Sequence, residues 1–191
     1  AITHIEKALL RGKSVITANK GPIAWDFHRL QRLAQEKGGA FYYETTVMDG
    51  TPVFNLMAKT LPYCRVEKVE GILNSTTNYV LEELAEGKDY QVILTEGKRR
   101  GFVEEDPSLD LEGWDAAAKI SALLNVLMDS QITPLDIDRE GIMGITPEMI
   151  QEAEENHQVY KLLCRGWKEG DRVRGCVKPE RVPKDSLYAS I

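Results

Sequence analysis

Ser14-Val-Ile-Thr-Ala-Asn-Lys-Gly-Pro-Ile-Ala-Trp-Asp-Phe-His-Arg-Leu-Gln-Arg-Leu-Ala34 is the stretch that decides the fold class. Ser14 to Thr17 is a short β-branched run, and Asn19-Lys20-Gly21-Pro22 is a turn whose proline is placed to begin a helix. Ile23, Phe27, Leu30, Leu33 and Ala34 then recur at helical spacing until Gly38-Gly39 stops them. Upstream, Ile5, Leu9 and Leu10 share a helical face that ends at Gly12. Downstream, Ala40 to Thr46 is aromatic and β-branched and reads as a strand. Helix, strand, helix, strand is the pattern of a parallel α/β sheet.

The reading continues outward with a helix over Val53–Thr60, a strand around Val66–Leu73 and a helix from Thr76 or Thr77 to Gly87. Further helices are expected over Tyr90–Arg100 and Trp114–Met128, joined by an acidic loop from Gly101 to Gly113. Thr146-Pro147 reads as a capped helix start. Val159–Gly166, Val173–Val177 and Val182 read as strands separated by polar turns.

Composition narrows the classes. An apolar share of 42% and a charged share of 28% over 191 residues fit one or two globular units and exclude a disordered or collagen-like chain. A net charge of −6 argues against non-specific nucleic-acid and anionic-membrane binding, both of which need a basic surface. The longest apolar run, Ala122–Met128 with Asn125 inside it, is far short of the ~20 residues of a bilayer span. Cys64, Cys164 and Cys176 are odd in number and widely spaced, so neither a disulfide framework nor a zinc knuckle is indicated, and a reducing cytoplasm suits them. His4, His28 and His157 have no ligand spacing.

The most informative chemistry lies in Gly101-Phe-Val-Glu-Glu-Asp-Pro-Ser-Leu-Asp-Leu-Glu-Gly-Trp-Asp-Ala-Ala-Ala-Lys119. Asp115 and Lys119 are spaced i,i+4, and Glu104 and Asp110 lie close before them. Carboxylates there suit the ammonium group of a small zwitterion, and a lysine can move a proton at a carbonyl or alcohol carbon. The same residues also read as a solvated acidic loop followed by a surface Asp–Lys helix pair.

That segment resembles the signature of the homoserine dehydrogenase family, residue for residue at its polar positions. Glu70-Gly-Ile-Leu-Asn-Ser-Thr-Thr-Asn-Tyr79 resembles the family's other hallmark, and Val15-Ile-Thr-Ala-Asn-Lys20 and Val182-Pro-Lys-Asp185 also look like family text. Four separated motifs in order, spread over nearly the whole chain, favour the enzymatic reading over the solvated loop. The resemblance implies an α/β architecture: a partial Rossmann-type nucleotide-binding layer over residues 1–45, then an α+β substrate-binding and dimerisation domain over 46–191, a mixed sheet with helices packed on it. It implies interconversion of L-homoserine and L-aspartate 4-semialdehyde with NADP or NAD, in the pathway to threonine, methionine and isoleucine, in a cytoplasmic homodimer.

By position, the resemblance implies Lys119 as acid/base, with Lys20 polarising the same oxygen. Glu104 and Asp115 would bind the amino acid, with Asp110, Thr76 and Phe102 supporting them, and Ala18, Asn19, Lys20 and Gly101 would face the cofactor. Thr76 and Thr77 read equally well as capping residues, and Gly101 as a helix C-cap. Glu44, Val47, Asp49 and Thr51 match a family loop that wraps a sodium ion with backbone carbonyls, although Met48 and Asp49 stand where small residues are usual.

No Gly-x-Gly-x-x-Gly turn occurs in this sequence, so a truncated chain that binds NADP weakly is expected, with the choice of cofactor unread. Two other classes stay open at this level: a related NAD(P)-dependent oxidoreductase for another small amino acid or aldehyde, and a non-enzymatic dimerising module with an inherited pocket.

Overall fold

In the computed structural model, which describes residues 1–191, helix α1 spans Ile2–Leu9 and strand β1 spans Val15–Ile16. Helix α2 (Gly21–Glu36), strand β2 (Phe41–Tyr42) and helices α3 (Thr45–Met48) and α4 (Val53–Thr60) follow. After β3 (Lys68–Gly71) come α5 (Ser75–Ala85), α6 (Tyr90–Arg100), α7 (Ser108–Leu111) and α8 (Trp114–Leu127). The last elements are β4 (Asp138–Arg139), α9 (Pro147–Glu155), β5 (Gln158–Glu169) and β6 (Arg172–Pro183).

β1 and β2 are parallel, Val15 opposite Phe41 and Ile16 opposite Tyr42, with α2 as their crossover. The second sheet runs β3-β5-β6-β4. It is mixed: β4 runs parallel to β6, whereas the two-residue connection Gly170-Asp171 makes β5 and β6 an antiparallel hairpin. Gly170, at φ 60, supplies the left-handed conformation at the first turn position. A partial parallel layer followed by a mixed sheet with helices is the architecture expected from the sequence.

The fold corrects two strand assignments. The run Ala40–Thr46 leaves the sheet after Tyr42, because the backbone N–H and the hydroxyl of Thr46 both donate to the Tyr43 carbonyl, at 3.2 and 2.8 Å, and close a helical turn. Val173–Val177 and Val182 are not separate strands but parts of one twelve-residue β6. Each half of the hairpin satisfies the other's backbone along its length, so the polar residues between the valines do not interrupt it.

The chain forms two compact units. One comprises Ala1–Val69, Ala118–Ile137 and Gly166–Gly175; the other comprises Glu70–Ala117, Asp138–Arg165 and Cys176–Ile191. In the first, α2 buries Ile23, Ala24, Phe27, Leu30 and Ala34, the face its periodicity marked. Tyr43 packs its ring 5.1 Å from Phe27, 5.5 Å from Phe41 and 5.4 Å from Phe54, and burial, with Glu44 adding to it, pushes its phenol pKa up. Asn125, 3% exposed, is the polar centre of this unit. Its Oδ1 accepts from Ser130 Oγ and Ile132 N at 2.9 and 3.0 Å, and its Nδ2 donates to the Ile23 and Ile132 carbonyls at 3.1 and 2.9 Å.

In the second unit Val80, Leu81, Ile93, Leu111, Ile142, Leu162 and Leu163 are buried. Lys161, the fourth residue of β5, is 2% exposed, and its ammonium group donates to Asn78 Oδ1 at 2.8 Å, Glu82 Oε1 at 2.8 Å and the Ile191 carbonyl at 2.7 Å. An ammonium has three hydrogens, and each has an acceptor. No helix is long and apolar enough to cross a membrane.

Candidate active site

Asn74 precedes α5 in extended conformation, and its Oδ1 accepts from the Thr77 N–H at 2.8 Å, so it caps the helix. The other end of the same amide reaches sideways. Nδ2 donates to Asp110 Oδ1 at 2.7 Å and to Asp115 Oδ2 at 2.9 Å. With Asn74 only 6% exposed, the two carboxylates are gathered on one buried nitrogen. Asp110 belongs to α7 and Asp115 to the first turn of α8, so three helix starts converge on this amide.

The loop between α6 and α7 is held from several sides. Gly101 ends α6 at φ 79, and the Phe102 and Val103 N–H groups both bond the Gly97 carbonyl, at 2.9 and 3.2 Å. Val103 is buried against Gly97, where a Cβ would stand 2.4 Å from Val103 Cγ2, so only glycine admits it. Lys98 Nζ donates to the Glu105 carbonyl at 2.7 Å. Asp106 accepts from the Ser108 hydroxyl and N–H, which hold its pKa below the ordinary value. Glu104 therefore follows a fixed Val103 and is itself exposed. At the other end of the signature, Arg139 stacks 3.7 Å from the Trp114 ring centroid, and Gly141 lies so close that a Cβ would meet the Leu111 carbonyl oxygen at 2.3 Å.

Thr77 is fully buried and committed to the cap, its hydroxyl donating to the Asn74 carbonyl at 3.2 Å. Thr76 makes only a long contact, 3.4 Å, to the Phe102 carbonyl. Phe102 is 58% exposed, with its ring 5.8 Å from that of Tyr79. Lys119 lies one helical turn after Asp115 on α8 and is half-buried.

In the first unit, Thr17-Ala18-Asn19-Lys20 forms a tight turn: Asn19 N–H donates to Thr17 Oγ1 at 3.0 Å, and Asn19 Oδ1 accepts from the Gly21 N–H at 2.9 Å. Ala18 and Asn19 are exposed, and Lys20 stands half-buried at the N-terminus of α2. The Glu44 side chain caps α4, its two oxygens accepting from Phe54 N and Asn55 N at 2.8 and 2.9 Å. Val47 ends within the single turn α3, whose last carbonyls have no helical continuation, and Asp49 reverses the chain at φ 45. A hollow of ≈ 850 Å³ lies elsewhere in this unit, bordered by Arg65, Asp129, Lys168 and Arg172, and none of the site residues expected from the sequence lines it.

Sequence reasoning quoted Asn74 within a motif and gave it no role. The available signal was its place one residue before Ser75-Thr-Thr at a helix start, which marks a cap but cannot disclose what the amide nitrogen meets.

Comparisons with known proteins show the family. The sequence profile described as homoserine dehydrogenase matches residues 52–191. The homoserine dehydrogenase of Sulfurisphaera tokodaii is 44% identical over 148 residues, covering 78% of this chain and 48% of its own length. The homoserine dehydrogenase of Methanocaldococcus jannaschii is 39% identical over 187 residues, covering 97% of this chain and 54% of its own. Among solved structures, a homoserine dehydrogenase from Thiobacillus denitrificans superposes with a TM-score of 0.91 at 31% identity, over 98% of this chain and 44% of that one. The chain spans about half the length of the curated relatives it matches.

Proposed function

The chain belongs to the homoserine dehydrogenase family, and we propose that it is the substrate-binding and catalytic part of an enzyme interconverting L-homoserine and L-aspartate 4-semialdehyde. The carrying observation is that the family's acidic signature folds so that Asp110 and Asp115 share the Asn74 amide. Held acidic groups of this kind suit the substrate's ammonium group, and Glu104 and Asp115 are assigned to it, with Asp110, Thr76 and Phe102 in support.

Lys119 is assigned the proton at the substrate oxygen, delivering it as the aldehyde is reduced and removing it from the alcohol in the reverse direction. Lys20 adds positive charge toward the same oxygen. A nicotinamide dinucleotide supplies the hydride when bound. The Thr17–Lys20 turn, exposed at Ala18 and Asn19 and with a cation at a helix start, fits the charge of such a group, and Ala18, Asn19, Lys20 and Gly101 are assigned to it. One relative, from Pseudomonas canavaninivorans, is described as NAD(+)-dependent; either NAD or NADP fits the residues here. The backbone carbonyls of Glu44, Val47, Asp49 and Thr51 suit a sodium ion, which would tie the α3–α4 turn.

Residues 1–45 are assigned to the nucleotide-binding layer and 46–191 to the substrate domain. A homodimer is supported by the sheet itself: the twelve-residue strands β5 and β6 are flanked by β3 and β4, of four and two residues, so long stretches of their outer edges have no partner strand within these flanks. The three cysteines are unbridged, as suits a reducing cytoplasm.

The test is turnover by the intact protein, followed by nicotinamide absorbance with homoserine and its analogues. Lys119→Ala is expected to lower kcat by ~10²–10⁴-fold with little change in homoserine affinity. Faster turnover of another amino alcohol would favour a related oxidoreductase, and homoserine binding without turnover would favour the dimerising module.

A further inference from the structure

We propose that Asn74 is a positioning residue: its amide nitrogen sets the orientation of the Asp110 and Asp115 carboxylates toward the amino-acid substrate. The inference deepens the homoserine dehydrogenase reading and rests on it for the identity of that substrate.

The argument begins with what an asparagine amide can do. Its NH₂ group carries two hydrogens in a fixed plane, and its oxygen accepts on the other side. In Asn74 the oxygen is spent on the Thr77 N–H, which fixes the amide plane against the first turn of α5. Both hydrogens are then aimed, and one is spent on each carboxylate, at 2.7 and 2.9 Å. Asn74 is 6% exposed, which limits the competition of water for these bonds on the donor side.

An amide also carries no charge. A lysine or arginine at this place would neutralise the acidic pair and bind it for stability; asparagine orients the two groups and leaves their charge unchanged. Capping does not demand this residue either. Ser, Thr and Asp cap a helix as well, yet none presents two hydrogens to two carboxylates. The residue type is dictated by the carboxylates, and the cap serves to hold the amide still.

Two variants separate the roles in the intact protein. Asn74→Ser keeps a capping oxygen and loses the bridging nitrogen. Asn74→Asp keeps the cap and replaces the donor with a third carboxylate. Asn74→Ser is expected to unfold within a few degrees of the parent, and Asn74→Asp at a lower temperature, because a third carboxylate meets the acidic pair. KM for homoserine should rise ~10-fold in Asn74→Ser and ~100-fold in Asn74→Asp, with KM for the dinucleotide unchanged within about twofold. Crystal structures of the variants should show the Asp110 and Asp115 carboxylates drawn apart by on the order of 1 Å.

Carboxylates that stay in place, or homoserine and dinucleotide KM values that rise together with a fall in stability, would overturn the positioning role. Failure of the parent protein to turn over homoserine would strike the enzymatic reading alone, because the displacement of the carboxylates is measured without substrate.

Discussion

Each compact unit contains a buried asparagine with its amide hydrogen-bonded at both ends, and the two are used differently. Asn125, in the first unit, serves the Ile23 and Ile132 backbone and the Ser130 hydroxyl. Asn74, in the second, accepts one bond from its own helix and donates two to carboxylates. Backbone groups inside a core must be paired whatever a protein does, since each orphan costs ~1–3 kcal/mol. Aspartates carry no such obligation, because they are well solvated at a surface. Drawing two of them onto one amide nitrogen sets two negative charges side by side, which capping a helix does not require. Asn125 therefore belongs to the stability of its unit, and Asn74, on the positioning role proposed above, to the chemistry of its own.

This contrast can be broken first at Asn125. Asn125→Ala orphans several buried backbone groups and is expected to cost about 3 kcal/mol in urea unfolding, with the kcat of the folded protein unchanged at low temperature. A loss below about 1 kcal/mol, or a selective loss of homoserine affinity, would erase the distinction between the two asparagines.

Gly141→Ala sharpens it from the other side. The new methyl would meet backbone at Leu111 and Glu112, which cannot swing aside as a side-chain end can, so residues between Asp110 and Asp115 must shift. An overpacking cost of about 1–3 kcal/mol is expected, together with a raised KM for homoserine. Stability lost with KM unchanged would mean that the acidic pair tolerates displacement of its supporting turn.

The smallest effect is expected where charge is arranged in water. Glu96 on α6 is held by the Arg99 and then the Arg100 guanidinium, which lower its pKa to about 2. A carboxylate whose folded pKa is depressed stabilises the fold above its ordinary value of 4.5, and the contribution fades as pH falls through about 2. Glu96→Gln should lower Tm by about one degree at neutral pH, and the difference should vanish at the acid end of a melting series. A large effect would show that surface charge pairs matter here as much as buried amides.

Much of this molecule was legible along the chain. The helices over Val53–Thr60 and Tyr90–Arg100 and the capped start at Thr146-Pro147 stand where periodicity and capping chemistry put them, because those signals are local. The parallel pairing of β1 with β2 followed from the strand–helix–strand order. Failures came where a distant or competing partner decided. Tyr43 to Thr46 has strand-like composition, but the Thr46 hydroxyl and an aromatic cluster claimed it. Lys161 reads as one charge in an apolar strand, and its burial depends on acceptors from α5 and from Ile191.

The candidate site divides in the same way. Sequence alone determined which residue types are present, the i,i+4 spacing of Asp115 and Lys119, and a helix start near Thr76, since these depend on neighbours within a turn of helix; the cap at Asn74 came from the structure. Only tertiary structure decided that the Asn74 nitrogen meets Asp110 and Asp115, residues 36 and 41 positions further along the chain. A hydrogen bond acts over about 3 Å, and contacts between residues so far apart in sequence are fixed by how helices pack rather than by any local propensity.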